Sequence, residues 1–486
     1  MTGIHAAVTP RSTVIDIGDG LIMRWSTKAD ADHIAALVGD SFKWLLNEGP
    51  DGVTPPPSEM LMSGARRLLS GKNACMTEHD YALVEDLRCE PNKNPIAACA
   101  AIHRVRAYYG CVNILVGKPE LIATQPKYRN NGLIRRLISE MVHPESEARG
   151  DDMQFIPGIP HYYRKNSGTY LYFIASQFGY EYGLTSFNPS KITSIQTIPS
   201  LAMGGSEPFI LRKATPIDIP YLINKSSKEN ISPFTQVGLS HGPEYWNWSI
   251  RDAPTVSKTK YDCDRDTRIV VDATTGKDVG FTVVSHIYEL ALELFTLDAS
   301  VVLQDALYSI LRQLLHPCHP AIALLGSKLS AQTDNPGYRM YVRINDYPKF
   351  IYKIAPELEK RLEGSPMASM TGILRLDFYR NVLGNKSKGL EITFEKGKIT
   401  NVRDWINPGY EGTAAEYLAW KAAGSIPTIY SAAFAPLSFN TLLLGDRSLK
   451  DLEWSYGETF LKDDVSRVLL NSLFPKTSHH CDIPIW

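Results

Sequence analysis

The residues that could do chemistry concentrate in one stretch, ELIATQPKYRNNGLIRRLI, from Glu120 to Ile138. It reads as a strand through Thr124, a basic turn holding Arg129, Asn130, Asn131 and Gly132, and a helix over Gly132–Val142. Leu133, Ile134, Leu137, Ile138 and Met141 fall at the i, i+3/i+4 spacing of a helix face turned to a core. Such a turn aims successive backbone N–H groups and the positive end of the helix dipole at one point, which suits a phosphate or pyrophosphate. Asn and Gly favour turns wherever they fall, so an ordinary strand-to-helix turn is the alternative and the wider context decides.

That context is G-x-P-E-L-I-A-T-x-P-x-Y-R-N-N-G-L-I followed by G-I-P-x-Y-Y-R-K, with F-G-Y-E-Y-G-L behind it. Together these resemble the GNAT superfamily of acetyl-CoA-dependent N-acetyltransferases. The superfamily signature, Arg/Gln-x-x-Gly-x-Gly/Ala, falls here on Arg129, Gly132 and Ile134, and Ile134 departs from the small residue usual at its position. The resemblance is to the tandem-GNAT proteins of the enhanced-intracellular-survival (Eis) type, and it covers about residues 21 to 486. It implies that Leu121, Ile122, Ala123 and Thr124 form the strand whose backbone pairs with pantetheine and donates to the thioester oxygen. It implies that Arg129, Asn130, Asn131, Gly132, Leu133 and Ile134 receive the CoA pyrophosphate.

Acetyl transfer to an amine needs a held thioester, a stabilised oxyanion, a base for the amine proton and an acid for the leaving thiolate. The resemblance assigns the acid to Tyr163, with Tyr162 as its neighbour in the Tyr162-Tyr163-Arg164-Lys165 motif. A tyrosine of pKa about 10 still holds its proton at neutral pH. Two bases stay open: the α-carboxylate of Trp486, docked through the apolar ending Ile483-Pro484-Ile485-Trp486, and Glu120 acting through water. Two features depart from the family pattern. Asn166 to Gln177 reads as an insertion between segments normally contiguous, and Pro157 stands where relatives carry a hydrogen-bonding residue.

The elements that must position these residues alternate as strand and helix. Leu21–Trp25 reads as a strand, Ala29–Phe42 and Glu59–Leu69 as amphipathic helices, and Tyr81–Glu85, Ile96–Val105 and Met153–Ile156 as further strands. The expected fold class is α/β (α+β): two tandem GNAT-like mixed-sheet domains followed by a sterol-carrier-protein-2-like α+β domain. The expected divisions are a mobile tail over 1–20, a catalytic domain over 21–195, a degenerate GNAT-like domain over 206–335 and the last domain over 337–486. The second unit echoes the first, with Phe209–Thr215 and an acidic helix start at Ile217-Asp218. Its junction Thr296-Leu297-Asp298-Ala299-Ser300 lacks the Arg-x-x-Gly turn. In the third, Tyr347–Leu362 reads as a helix, Thr371–Tyr379 as a strand, Gly389–Val402 as a hairpin, and Ser438–Leu444 and Asp463–Leu473 as helices.

Composition bounds what else the chain can do. At 486 residues it exceeds one hydrophobic core, and 44% hydrophobic with 21% charged residues is an ordinary globular balance. A net charge of −1 and no basic stripe with interleaved aromatics give no reason to expect nucleic acid. Seven scattered cysteines and no apolar run of membrane length lead to an expectation of a cytoplasmic protein with reduced thiols and no membrane insertion. His316-Pro317-Cys318-His319 and His479-His480-Cys481-Asp482 lack the paired spacing of a zinc site, so no metal is expected. Arg135-Arg136 could meet the CoA 3′-phosphate or form a solvated helix face. The expected partners are acetyl-CoA as co-substrate and a small-molecule amine, with a homo-oligomer implied by the family. Two other readings stand beside this one: a GNAT-fold enzyme with divergent, CoA-independent chemistry, and an apolar-ligand carrier acting through the third domain.

Overall fold

The structure is a computed structural model that describes residues 10–43, 56–158, 173–175, 192–194, 199–201, 203–226, 235–252, 265–285, 291–314, 321–324, 339–379, 389–423, 426, 428–435 and 437–480. Three sheets organise them. The first runs in the order β1 (Val14–Gly18), β2 (Leu21–Trp25), β3 (Tyr81–Asp86), β4 (Ile96–Tyr109), β5 (Val112–Thr124), β6 (Met153–Gly158), β15 (Arg339–Ile344) and β7 (Phe173–Ala175). Strand β10 (Thr235–Ser240) pairs with the far end of β4, and β21 (Ser478–His480) pairs with β10. The stretch expected as a tail is therefore built into the sheet from Val14 onward.

Strand β4 reads IAACAAIHRVRAYY because both of its faces are covered. On one face Ala98, Ala100 and Ile102 meet Leu133, Leu137, Ile138, Met141 and Val142 of helix α3, which spans 133–148. On the other, Cys99 and Ala101 meet Ile34, Leu37 and Val38 of α1 (Ala31–Ser41) and Leu61, Ala65 and Leu68 of α2 (Glu59–Leu68). The alternation has the two-residue period of a strand, and the small side chains let helices close on both sides. Helix α3 outruns its expected end at Val142. Its middle, Leu137–Val142, is π-helical, which accommodates Pro144 where a regular helix would drive the ring into the carbonyl of residue 140.

The second sheet has the order β8 (Ile192–Ser194), β14 (Ala321–Leu324), β13 (Ala291–Leu297), β12 (Asp278–Ser285), β11 (Arg265–Asp272), β9 (Phe209–Lys213). It repeats the connections of the first. Four antiparallel strands (β9, β11, β12, β13, as β2 to β5) lead through a helix, Leu303–Leu314, to a parallel fifth strand. Each fifth strand then takes an antiparallel neighbour from beyond the other sheet: β15 on β6 and β8 on β14. The helix starts match as well. Thr27 and Asp30 form a capping box in which Arg24 pairs with Asp30 at 2.7 Å, and Thr215, Asp218 and Arg212 repeat it at 2.8 Å.

The third sheet runs β18 (Lys398–Asp404), β17 (Gly389–Glu395), β16 (Gly372–Asp377), β19 (Ile429–Ala433), β20 (Phe460–Leu461). The β17–β18 turn holds Lys396 at φ 50° and Gly397 at φ 78°, the two left-handed residues that a tight hairpin turn requires. The helix expected over 347–362 is two helices, Tyr347–Lys353 and Ala355–Glu363, because Pro356 cannot continue the hydrogen-bond ladder through Ile354. Leu449–Ser455 is a helix that the expectations omitted, although Ser448-x-x-Asp451 is a capping-box signal.

One core joins the first and third sheets. Val105, Tyr109, Phe155 and Val342 pack with Phe350, Leu374, Leu376, Phe434 and Leu442. The Tyr109 hydroxyl donates to the Leu443 carbonyl at 2.6 Å, and the Tyr109 ring meets Phe350 edge-on with centroids 5.8 Å apart. Phe350→Ala is expected to cost about 3–5 kcal/mol, read from the urea midpoint of unfolding. A loss under ~1 kcal/mol would mean that this shared core is not a stability determinant.

Candidate active site

Strand β5 is paired to β4 along nearly its whole length, from Val112↔Tyr109 to Thr124↔Ala98. On its other side it meets β6 only at Val116↔Met153 and Gly117↔Gln154. On its opposite edge β6 is paired with β15 along its whole length, Met153–Gly158. The two parallel strands thus part after Gly117, and the edge of β5 from Lys118 to Thr124 lies beside the opening. The expectation that Leu121, Ile122, Ala123 and Thr124 belong to a splayed strand fits this pattern of pairing.

A bulge marks the same place. Glu120 pairs with Ala101 and Ala123 with Cys99, so Leu121 and Ile122 stand against Ala100 alone. Leu121 has φ 47°, which a branched side chain adopts only under strain of roughly 1–3 kcal/mol. Nothing in the sequence announced this, because leucine carries no preference for the left-handed region. The bulge bends the strand along the edge that β6 has left.

The turn after β5 is built by four side-chain hydrogen bonds. Gln125 Nε2 donates to the carbonyls of Asn94 at 2.9 Å and Ile96 at 2.7 Å. Tyr128 donates to Asp86, and with Arg88 it holds the Asp86 carboxyl down at about 2. Arg129 Nε reaches back to the Thr124 carbonyl at 3.3 Å. Asn130 and Gly132 both have positive φ, 66° and 71°. Gly132 is the N-cap of α3, and among the described residues no side chain caps that helix end. The N–H groups of Gly132, Leu133 and Ile134 therefore have no intrahelical acceptor. Arg129, Asn130, Asn131 and Gly132 are exposed, Leu133 is buried and Ile134 half-buried against the sheet. A Cβ on Gly132 would meet nothing within 4 Å, so its glycine is required by conformation and not by crowding. Arg136 is engaged by Glu140 at 2.7 Å, as a helix-face residue would be.

Glu120 faces the α1/α2 side of the sheet. Its side chain is 11% exposed and accepts from the buried Lys118 Nζ at 2.8 Å. His103 Nδ1 lies 3.5 Å from the same oxygen, and burial pushes His103 down to about 4. Burial also pushes the neighbouring Cys99 thiol up to about 12, which leaves it no role as a nucleophile at neutral pH. Sequence reading missed His103 and Lys118. Their only signal was two ionisable residues inside otherwise apolar strands.

Tyr163, Tyr162 and Trp486 lie outside the described residues. Strand β21 runs parallel to β10 and antiparallel to β4, in the direction of the Ala101–Glu120 end of the sheet. Pro157 is on β6 opposite Met340, in the half that has left β5. Part of the segment expected as an insertion, Phe173–Ala175, is strand β7, paired to β15. Among the described residues no group of acidic, His and Cys side chains could hold a metal ion, and no helix is long and apolar enough to cross a membrane.

No family model and no curated protein matches this chain. Solved structures do. A conserved protein of unknown function from Enterococcus faecalis superposes with a TM-score of 0.60 at 13% identity, over 96% of this chain and 99% of that one. A GCN5-related N-acetyltransferase from Kribbella flavida gives 0.56 at 14% identity, over 96% and 98%. Eis1 from Mycobacterium abscessus gives 0.50 at 10% identity, over 95% and 100%. The chain has the fold of the GCN5-related N-acetyltransferases. Its likeness to these structures spans nearly the whole length, including the sheets beyond the parted strands.

The anchoring of the turn can be tested by pH. The folded Asp86 carboxyl titrates at about 2, below the roughly 3.9 of a free aspartate. Its hydrogen bonds therefore add stability that is full above pH ~4 and lost as the pH falls toward 2. Tyr128→Phe is expected to be less stable than wild type at pH 6, with the difference closing in acid. A difference that stays constant down to pH 2 would deny Asp86 that role.

Proposed function

We propose that this chain transfers an acyl group, acetyl in the first instance, from CoA to the amine of a small molecule by direct attack. The observation that carries the reading is the parting of β5 from β6 beside a helix whose N-terminus has a left-handed glycine and, among the described residues, no side-chain cap. A slot between two strands suits an extended pantetheine arm. An uncapped helix N-terminus suits a pyrophosphate.

Bound there, acetyl-CoA supplies an activated acyl carbon, and the chain's own residues do the rest. Leu121 to Thr124 hold the arm along the edge of β5 and donate to the carbonyl oxygen as charge grows on it. Gly132, Leu133 and Ile134 offer main-chain N–H groups to the pyrophosphate, and Arg129, Asn130 and Asn131 surround it. Tyr163 keeps the proton that the leaving sulfur needs. Glu120, through water, or the α-carboxylate of Trp486 takes the proton from the amine. The matching connections of the first two sheets favour tandem GNAT-like units, of which only the first has the Arg-x-x-Gly turn. The third sheet with its helices is then the sterol-carrier-protein-2-like unit, and association into a homo-oligomer completes the assembly.

Calorimetric titration with acetyl-CoA tests this directly. Wild type is expected to bind and Gly132→Glu to lose binding, because a carboxylate would stand among the donors. Gly132→Ala is expected to keep binding while losing about 1–2 kcal/mol of stability to its positive φ. Absence of binding by folded wild-type protein would sink the proposal and favour a CoA-independent enzyme or an apolar-ligand carrier. Tyr163→Phe is expected to lower kcat by roughly 10²-fold or more with CoA affinity unchanged. Unchanged turnover there would remove Tyr163 as the acid.

A further inference from the structure

Behind Glu120 lie polar groups that acyl transfer, as set out above, leaves without a task. His103 and Lys118 face each other across the β4–β5 ladder, and Glu120 follows two residues on, toward the same face. Lys118 is fully buried, and its ammonium donates to one oxygen, Oε2 of Glu120, at 2.8 Å. His103 Nδ1 stands 3.5 Å from that same Oε2, and among the described residues neither it nor Nε2 makes a hydrogen bond. Tyr81 of β3, opposite Ala101, has a buried hydroxyl that also finds no hydrogen-bond partner among the described residues. Both contacts of Glu120 fall on Oε2, so Oε1 is unengaged among the described residues.

Burying an ammonium costs several kcal/mol unless its partner is well placed. A lysine sealed inside a sheet with a single carboxylate oxygen to serve is therefore tied to that carboxylate. We propose that Lys118 is a positioning residue for Glu120: it draws Oε2 inward against β4 and leaves Oε1 as the oxygen that meets the acceptor amine or its water. This rests on the acyl-transfer reading with Glu120 as base.

The surrounding charges leave the task to Lys118. Burial keeps His103 neutral near pH 7, so the group holds one positive and one negative charge. From β3 come the Tyr81 hydroxyl and, just before the strand, Asp80, which acts on His103. On the covering helices Arg66 is paired with Asp32, while Arg67 lies over the Trp248 ring, and Lys43 just past α1 is paired with Asp40.

The test is an infrared titration of the full-length protein, in which the carboxyl band missing from Glu120→Gln identifies Glu120. In Lys118→Met the midpoint of that band is expected to rise by about one to two pH units, because a buried carboxylate has lost its counter-charge. Lys118→Arg is expected to restore it. Should Lys118→Met fail to fold, Lys118→Gln, a neutral donor of shorter reach, carries the same expectation. Turnover is followed in parallel as free thiol released from acetyl-CoA, with water alone and with added tyramine as acceptor. The neutral variants are expected to lose kcat roughly 10²-fold with KM for acetyl-CoA unchanged, and the acid limb of the rate profile to move with the band. An unmoved midpoint in a folded neutral variant overturns the proposal, as does a kcat that Lys118→Arg fails to rescue. If wild type does not bind acetyl-CoA, the acyl-transfer reading fails by itself, and the band midpoint still decides whether Lys118 governs Glu120.

Discussion

Among the described residues strand β5 keeps its partner on one side and loses it on the other after Gly117, and the rest of the candidate site follows from that asymmetry. A strand edge without a neighbour must be covered, or it becomes a place where a ligand or another chain can pair. Here the loss is built in. Strand β15 supplies β6 with a continuous partner, so β6 can leave β5 without unpaired groups on both of its sides. Farther along that edge the bulge at Leu121 bends β5, and the left-handed φ of that leucine is held by the packing around it. Strain at one residue is stable only when its surroundings determine it, and Leu121 is buried beneath α1 and α2.

The partner of β6 comes from far along the chain. Arg343 pairs with Glu147 at 2.7 Å, Asn345 donates to the Asp151 carbonyl at 2.8 Å, and Lys353 pairs with Asp152 at 2.6 Å. These contacts fix the C-terminal end of α3, the helix whose N-terminus follows the Arg129–Gly132 turn. Around them lies a buried ion network in which Arg149 engages Glu145 and Asp80, and Arg11 engages the same two carboxylates. Removing one member would leave a buried charge without its counter-ion, so the network specifies one seating of α3 on the sheet. The position of the turn thus depends on residues more than two hundred positions away in sequence.

Charge near the opening is arranged in two layers. The turn is exposed and gathers Lys127, Arg129 and Arg135 with uncapped N–H groups, where an anionic ligand would be welcome. Behind it, on the opposite face of the sheet, Lys118 and Glu120 neutralise each other and His103 stays uncharged. Low local dielectric makes each of these interactions stronger than it would be in water, and makes any unmatched member costly.

The sequence by itself determined the local elements and the turn. Leu133, Leu137, Ile138 and Met141 are buried on one face as their spacing requires, and Lys396-Gly397 forms the hairpin turn because those two residues accept left-handed conformations. The turn from Arg129 to Gly132 and the helix start after it were legible because short-range geometry alone creates a helix N-terminus. Tertiary structure decided what pairs with β6, where β5 bulges and which oxygen of Glu120 is in use. Those outcomes depend on contacts between residues far apart in the chain, such as Met340 with Pro157. A local pattern of residue types carries no register for such pairings. Lys118 shows the difference most plainly: a lysine within a strand reads as solvent-facing until the fold buries it with a carboxylate two residues on.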